Sequence, residues 1–194
     1  MSKIKIGLAG WYEREGFYPN GCQSPVGKFQ FYAQEFPIAE VDSSYYAIPS
    51  QRVTRRWVRH TPDDFVFSVK AFRLFTIHHT QPQYVPPYIR RELPADLANR
   101  HFIHSSDVPP NLQDSLWEDF ARMLEPFRAT RKLGVVLFQF APWFRPSRES
   151  FEHILECKKW LPNHQIAVEF RNRWWLHPDY FEQTLGFLED NELE

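Results

Sequence analysis

The chain has 194 residues with 43% hydrophobic and 24% charged side chains, enough for one substantial core and short for two, so residues 1–194 read as a single domain. A net charge of −1 excludes the broad basic surface that coats nucleic acid, while leaving room for a local basic groove. Cys22 and Cys157 are too isolated for a zinc cluster or disulfide scaffold, and no apolar run reaches membrane-spanning length or follows a signal-peptide pattern. A reducing, cytoplasmic setting is expected.

In chain order, the first strand is expected over roughly Lys3 to Ala9. Ser24-Pro25 then supplies an N-cap and first-turn proline for a helix carrying Phe29, Tyr32 and Phe36. A second strand covers Ile38 to Ser43, and Ser50 caps a helix with Val53 and Trp57 one turn apart, ending near Thr61-Pro62. Phe65 to Lys70 forms the third strand. Between Ala71 and Pro110 the periodicity fades amid Pro82, Pro86, Pro87, Pro94, Pro109 and Pro110, which reads as a long lid or binding loop. A helix from about Gln113 aligns Leu116, Phe120, Leu124 and Phe127. Leu133 to Phe140 is the fourth strand, and Ser147 opens a helix with Phe151, Ile154 and Leu155 inward. Gln165 to Arg171 is the fifth strand, followed by a helix carrying Phe181, Leu185 and Leu188.

Strands alternating with amphipathic helices imply a mostly parallel sheet of βα units. Side chains alternate along a strand with period two. One face therefore holds Ile4, Ile6, Leu8, Ala39, Val41, Phe65, Phe67, Val69, Val136, Phe138, Phe140, Ile166, Val168 and Phe170. The other carries Lys5, Trp11, Glu40, Asp42, Ser68, Lys70, Gln139, Glu169 and Arg171. Polar groups gathered at C-terminal strand ends are the pattern of a TIM-type (β/α) barrel with its site at the mouth. A full barrel takes eight units and about 250 residues; this chain offers five, so either the last units are missing or the sheet stays open.

Gly10-Trp11 with Phe17-Tyr18-Pro19 resembles the opening of the YecE-like family, domain of unknown function seventy-two. So do Glu40-Val41-Asp42-Ser43-Ser44-Tyr45-Tyr46 with Pro49, then Trp57, Thr61-Pro62 and Phe65-Val66-Phe67-Ser68-Val69-Lys70. Thr76 with His78, Leu133 to Phe140, and Glu169-Phe170-Arg171 with Trp175 complete the set, in family order along the whole chain. The resemblance implies a TIM-type barrel. It supplies no reaction, although a likeness of that barrel to endonuclease-IV-like proteins suggests nucleic-acid binding by fold analogy. Asp42 stands where many members carry Asn, and the family's late arginine-histidine block has no counterpart here.

Glu40, Asp42 and Glu169 are candidate acid/base carboxylates, with Lys70 as their counter-charge; the plain alternative is a structural ion pair. His78, Gln139 and Arg171 are candidates to orient or grip a ligand, and Trp11, Tyr18, Tyr46 and Trp175 to stack on it. The carboxylates and His78 are suitable metal donors, yet no HxH or HExxH spacing pairs ligands and Lys70 opposes a cation. Neither a metal nor another cofactor is expected. Rossmann, P-loop and nucleophile-elbow signatures are missing. The expected ligand is a small phosphate- or carboxylate-bearing molecule that the chain binds or acts on, as a metal-independent hydrolase or lyase if it is an enzyme. Two other readings stand beside it: a nucleic-acid-binding module, and a truncated inactive remnant whose exposed sheet edges favour oligomerisation. No membrane partner is expected.

Overall fold

A parallel five-stranded sheet, in sequential order, organises the computed structural model, which describes residues 4–12, 15–20, 22 and 24–194. Its strands are β1 (Leu8–Ala9), β2 (Ile38–Val41), β3 (Val66–Lys70), β4 (Leu133–Phe140) and β5 (Ile166–Phe170). The connections carry helices α1 (Pro25–Glu35), α2 (Ser43–Tyr46), α3 (Gln51–Arg59), α4 (Pro87–Glu92), α5 (Ala95–Ala98), α6 (Pro110–Ala129) and α7 (Arg148–Trp160); α8 (Pro178–Asp190) follows β5. β1 and β5 do not pair with each other, so the sheet is open. The last residues lie along the free edge of β5: Leu193 bridges Ile166 in parallel, and Glu194 N–H donates to Ile166 O at 2.9 Å.

The expected alternation is present in β2, β3 and β4 but not at the chain start, where Ile4 and Ile6 are exposed rather than packed under helices. Ala39, Val41, Phe67, Val69, Val136, Phe138 and Phe140 are buried under the helices. Phe29 of α1 and Phe127 of α6 pack on Phe67, while Trp117 of α6 stacks near Phe138. The opposite face, with Ile38, Glu40, Val66, Ser68, Lys70, Val135, Leu137, Gln139, Ala167 and Glu169, is partly exposed. Register holds these faces together: Glu40 lies opposite Ser68, Lys70 opposite Leu137 and Gln139 opposite Glu169. An irregularity between Phe67 and Val69 takes up the mismatch between β3 and β4.

Several boundaries differ from expectation. The first strand shrinks to Leu8–Ala9, and its expected start at Lys3 lies outside the described residues. The Tyr32 hydroxyl explains much of this, because it accepts from Leu8 N–H and donates to Ile38 O, both at 2.8 Å, in place of a direct ladder bond. β2 stops at Val41, since Asp42 turns into α2. α1 begins as expected, with Ser24 Oγ accepting from Gly27 N–H at 2.9 Å, and Ser147 caps α7 the same way. On α3 the inward residues are Thr54 and Val58 rather than Val53, and on α8 Thr184 is buried while Phe181 and Leu185 are exposed.

The proline-rich stretch is no loose loop. Short turns and helices there bury Phe72, Leu74, Phe75, Val85, Ile89, Leu93, Leu97, Ile103 and Val108 in the main core. Proline at successive helix starts hid this from periodicity, because each element is too short to show a 3.6-residue pattern. Among the described residues no helix is long and apolar enough to cross a membrane.

Candidate functional site

The C-terminal ends of β2 and β3 bring four groups together. Asp42 and Lys70 form an ion pair at 2.9 Å with both side chains largely buried. Ser44, buried at the start of α2, places its Oγ 2.6 Å from the carbonyls of Val41 and Lys70, tying the two strand ends together. Glu40 points to the same face as Asp42 and Lys70. Its carboxyl has no hydrogen-bond or ion-pair partner among the described residues. Burial pushes its pKa above the ordinary 4.5; Lys70 opposes this, while the negative charges of Asp42 and Glu169 add to it. One carboxylate is thus tied to a lysine, while burial raises the proton affinity of its neighbour.

Glu169 belongs to this electrostatic group, although its own partner is Arg171 at 2.5 Å in a half-exposed pair. Gln139 lies beside it in register on β4. On the other flank, Tyr46 is 49% exposed and packs edge-on against Tyr45 at 5.0 Å. His78 is buried, its ring 5.3 Å from Tyr45 and 5.7 Å from Trp143. Burial, with Arg73, His79 and Lys70 nearby, drives the His78 pKa down to about 4, so the ring is neutral at pH 7. Its Nδ1 lies 2.9 Å from Thr76 Oγ1, which itself donates to Arg73 O. The neutral ring carries one N–H and one acceptor nitrogen, and Thr76 Oγ1 engages the Nδ1 side. Ile77, between these two residues, has φ of 63°, a left-handed conformation that strains a β-branched residue by about 1–3 kcal/mol. The turn is pinned by His78 N–H to Arg73 O and Ala141 N–H to Thr76 O.

Three expected site residues lie elsewhere. Gly10, with φ of 80°, breaks the strand parity and sends Trp11 toward the helices, 4.4 Å from Phe29 and 5.1 Å from Trp57. Tyr18 packs on Phe17 and Phe31 and donates to Trp11 O, on the α1 side. Trp175 is fully buried, stacked on Phe170 at 4.0 Å with its indole N–H on Phe144 O. Sequence reasoning missed four residues at the mouth: Tyr12, which hydrogen-bonds Ser43 beside Asp42 and Tyr46, together with Tyr45, Arg73 and Trp143. Each sits a few residues beyond a strand end, where βα connections build a site. That position was the available signal.

The mouth is an open surface. A groove of about 250 Å³ runs along its inner face past Lys5, Gly7, Ala9, Ile38, Glu40 and Ser68. A separate cleft of about 430 Å³ lies between α3, α4 and α6, lined by Pro49, Tyr84, Pro86, Tyr88, Asp119 and Arg122. Its polar groups satisfy one another: Asp119 accepts from Tyr88 at 2.5 Å and from Arg122 at 2.7 Å. No three His, Cys, Asp or Glu side chains among the described residues converge as a metal-binding group.

The sequence matches the family model described as "Protein of unknown function DUF72" over residues 5–194. It is similar to the UPF0759 protein YunF of Bacillus subtilis (strain 168), with 36% identity over 185 residues, 95% of this chain and 56% of that protein. It is also similar to the crystal structure of a DUF72 family protein from Enterococcus faecalis V583. The TM-score there is 0.75 at 21% identity, over 99% of this chain and 59% of the other. A DUF72 family protein from Thermotoga maritima MSB8 gives a TM-score of 0.66 at 24% identity, over 97% and 62%. The structural likenesses carry fold alone, and this chain spans a little over half the length of these relatives. With the family model covering nearly every residue, the chain belongs to the DUF72 family of proteins of unknown function.

Proposed function

We propose that the open sheet is part of a TIM-type barrel, and that its strand-end mouth binds a small phosphate- or carboxylate-bearing molecule and acts on it by carboxylate acid/base chemistry. The observation that carries the reading is the contrast at the end of β2. Asp42 is fixed by Lys70, whereas the half-buried Glu40 carboxyl has no partner among the described residues and its pKa is raised. A half-buried carboxyl of raised proton affinity beside a fixed ion pair is an arrangement that acid/base catalysis uses. Glu40 would donate or accept the proton, Glu169 would keep its proton affinity high, and neutral His78 would be a second proton-transfer group. Gln139 and Tyr46 would orient and cover the ligand. The reaction class that fits is hydrolysis or elimination.

The test is a thermal-shift panel of sugar phosphates, nucleotides and small carboxylic acids on the whole chain, followed by turnover assays on every compound that raises the melting temperature. A ligand of the native state stabilises by mass action. Glu40→Gln is expected to keep the shift and lower turnover by about 100-fold or more, the usual contribution of a general acid or base. Unchanged turnover in that variant, or a panel without a single shift, would contradict the proposal.

A further inference from the structure

The cations at the mouth differ in how far they are neutralised. Lys70 is paired with Asp42 and Arg171 with Glu169, so neither presents a free positive charge. Arg73 has no carboxylate within 4.0 Å among the described residues. Its guanidinium carbon lies 5.2 Å from the centre of the Tyr45 ring and 5.9 Å from that of Tyr46. Its Nε is buried and meets no acceptor among the described residues. Its backbone is fixed because Arg73 O accepts from both His78 N–H and Thr76 Oγ1. Its uncompensated charge reaches its neighbours, depressing the proton affinities of His78 and His79 and opposing the rise of Tyr45.

We infer that Arg73, held over Tyr45 and Tyr46, is the oxyanion seat of this mouth, receiving the phosphate or carboxylate group of the ligand. A guanidinium presents its N–H groups as a rigid fork matched to two oxygens of such a group. Held against aromatic faces, it loses little freedom on binding. The seat lies over Tyr46, which is 49% exposed, and Trp143, 53% exposed, packs on the neighbouring His78; both provide apolar surface for the rest of the molecule. This inference rests on the proposed anion-binding mouth and assigns the anion contact to Arg73 rather than to the paired cations Lys70 and Arg171.

The experiment is calorimetric titration of inorganic phosphate, and separately of acetate, into the whole chain and its R73M, R73K, K70M and R52M variants, each checked for a cooperative melt. Arg52 belongs to the exposed stripe of Arg52, Arg55, Arg56 and Arg59 on α3, which lines a hollow of its own. The wild-type protein is expected to bind at least one of the two anions, and their ratio identifies the oxyanion. R73M should weaken binding at least tenfold, R73K less, and R52M should leave it unchanged. If R73M does not fold, wild-type affinity in R73K overturns the inference. Loss of binding in K70M with full retention in R73M overturns Arg73 as the seat while leaving the anion-binding mouth intact. Loss in R52M assigns the binding to α3 and overturns it too. Absence of binding of either anion to the wild-type protein removes both the inference and the reading beneath it.

Discussion

Glu40 and Asp42 share a strand end and a face, yet the chain treats them differently, and the difference sets what each substitution does. Removing the Glu40 charge removes a carboxylate that pays for its burial without a partner. A folded-state pKa above the unfolded value means that the ionised group destabilises the fold at neutral pH, and that this cost fades as pH falls through the folded pKa. Glu40→Gln is therefore expected to melt at pH 7 at the same temperature as wild type or higher; a loss of more than about 1 kcal/mol would show instead a structural carboxylate with a stabilising partner. The histidines act in the other direction. His78, His153 and His164 all have proton affinities depressed by burial, so the unfolded chain takes up protons first. Their stabilising contribution is complete above about pH 6.5 and is lost as pH falls, for His78 over the window down to about 4. His78 alone accounts for no more than about 3 kcal/mol. Calorimetric melts across that window should show a steady fall in melting temperature that is shallower in His78→Asn; identical slopes would contradict the buried-neutral assignment.

At the scale of elements, two side chains bind parts that the sheet and helices leave loose. Lys132, buried just before β4, gives its ammonium to Val58 O, Thr61 O and Thr61 Oγ1 at 2.9–3.2 Å, satisfying carbonyls at and beyond the end of α3. Lys132→Met keeps the aliphatic bulk and strands those carbonyls, so denaturant melts should show a loss of about 2 kcal/mol. A change under about 0.5 kcal/mol would mean that water replaces the ammonium without cost. Tyr32→Phe should release β1, which hydrogen exchange at Leu8 would report as lost protection; unchanged protection would contradict the bridging role of the hydroxyl. Neither residue could be read from the sequence, because Lys132 looks like an ordinary charged residue beside a strand and Tyr32 like a helix core aromatic. What pattern did expose were elements long enough to repeat: α6 with Leu116, Phe120, Leu124 and Phe127, all buried, and β4, whose observed bounds match the expected ones. Trp11 was misplaced because one glycine in a left-handed turn reverses every parity argument that runs past it.

Over the whole molecule, the sheet has one finished face and one unfinished one. The helix-covered face is continuous core, whereas Ile38, Val66, Val135 and Leu137 remain partly exposed opposite it, and Ile4 and Ile6 are 91% and 72% exposed beside β1. Apolar surface beside the edge of β1, which pairs only with β2 among the described residues, favours association. Sedimentation velocity should therefore reveal a concentration-dependent increase in mass; a monomer at every concentration would show that the partly exposed face is tolerated in water. The parallel sheet and the Glu40–Asp42–Lys70 grouping were legible because alternation alone places them. Arg73, Tyr45 and Trp143 were not, because they sit in irregular turns whose direction depends on backbone torsions such as that of Ile77. The central claim, that the mouth holds a protonatable carboxyl beside an anion seat, is tested most directly by following the Glu40 carboxyl carbon through a pH titration by NMR, with Glu40→Gln for assignment, with and without inorganic phosphate. The account predicts a midpoint above 4.5 that rises further when phosphate adds its negative charge nearby. A midpoint at or below 4.5, unmoved by phosphate, would contradict it.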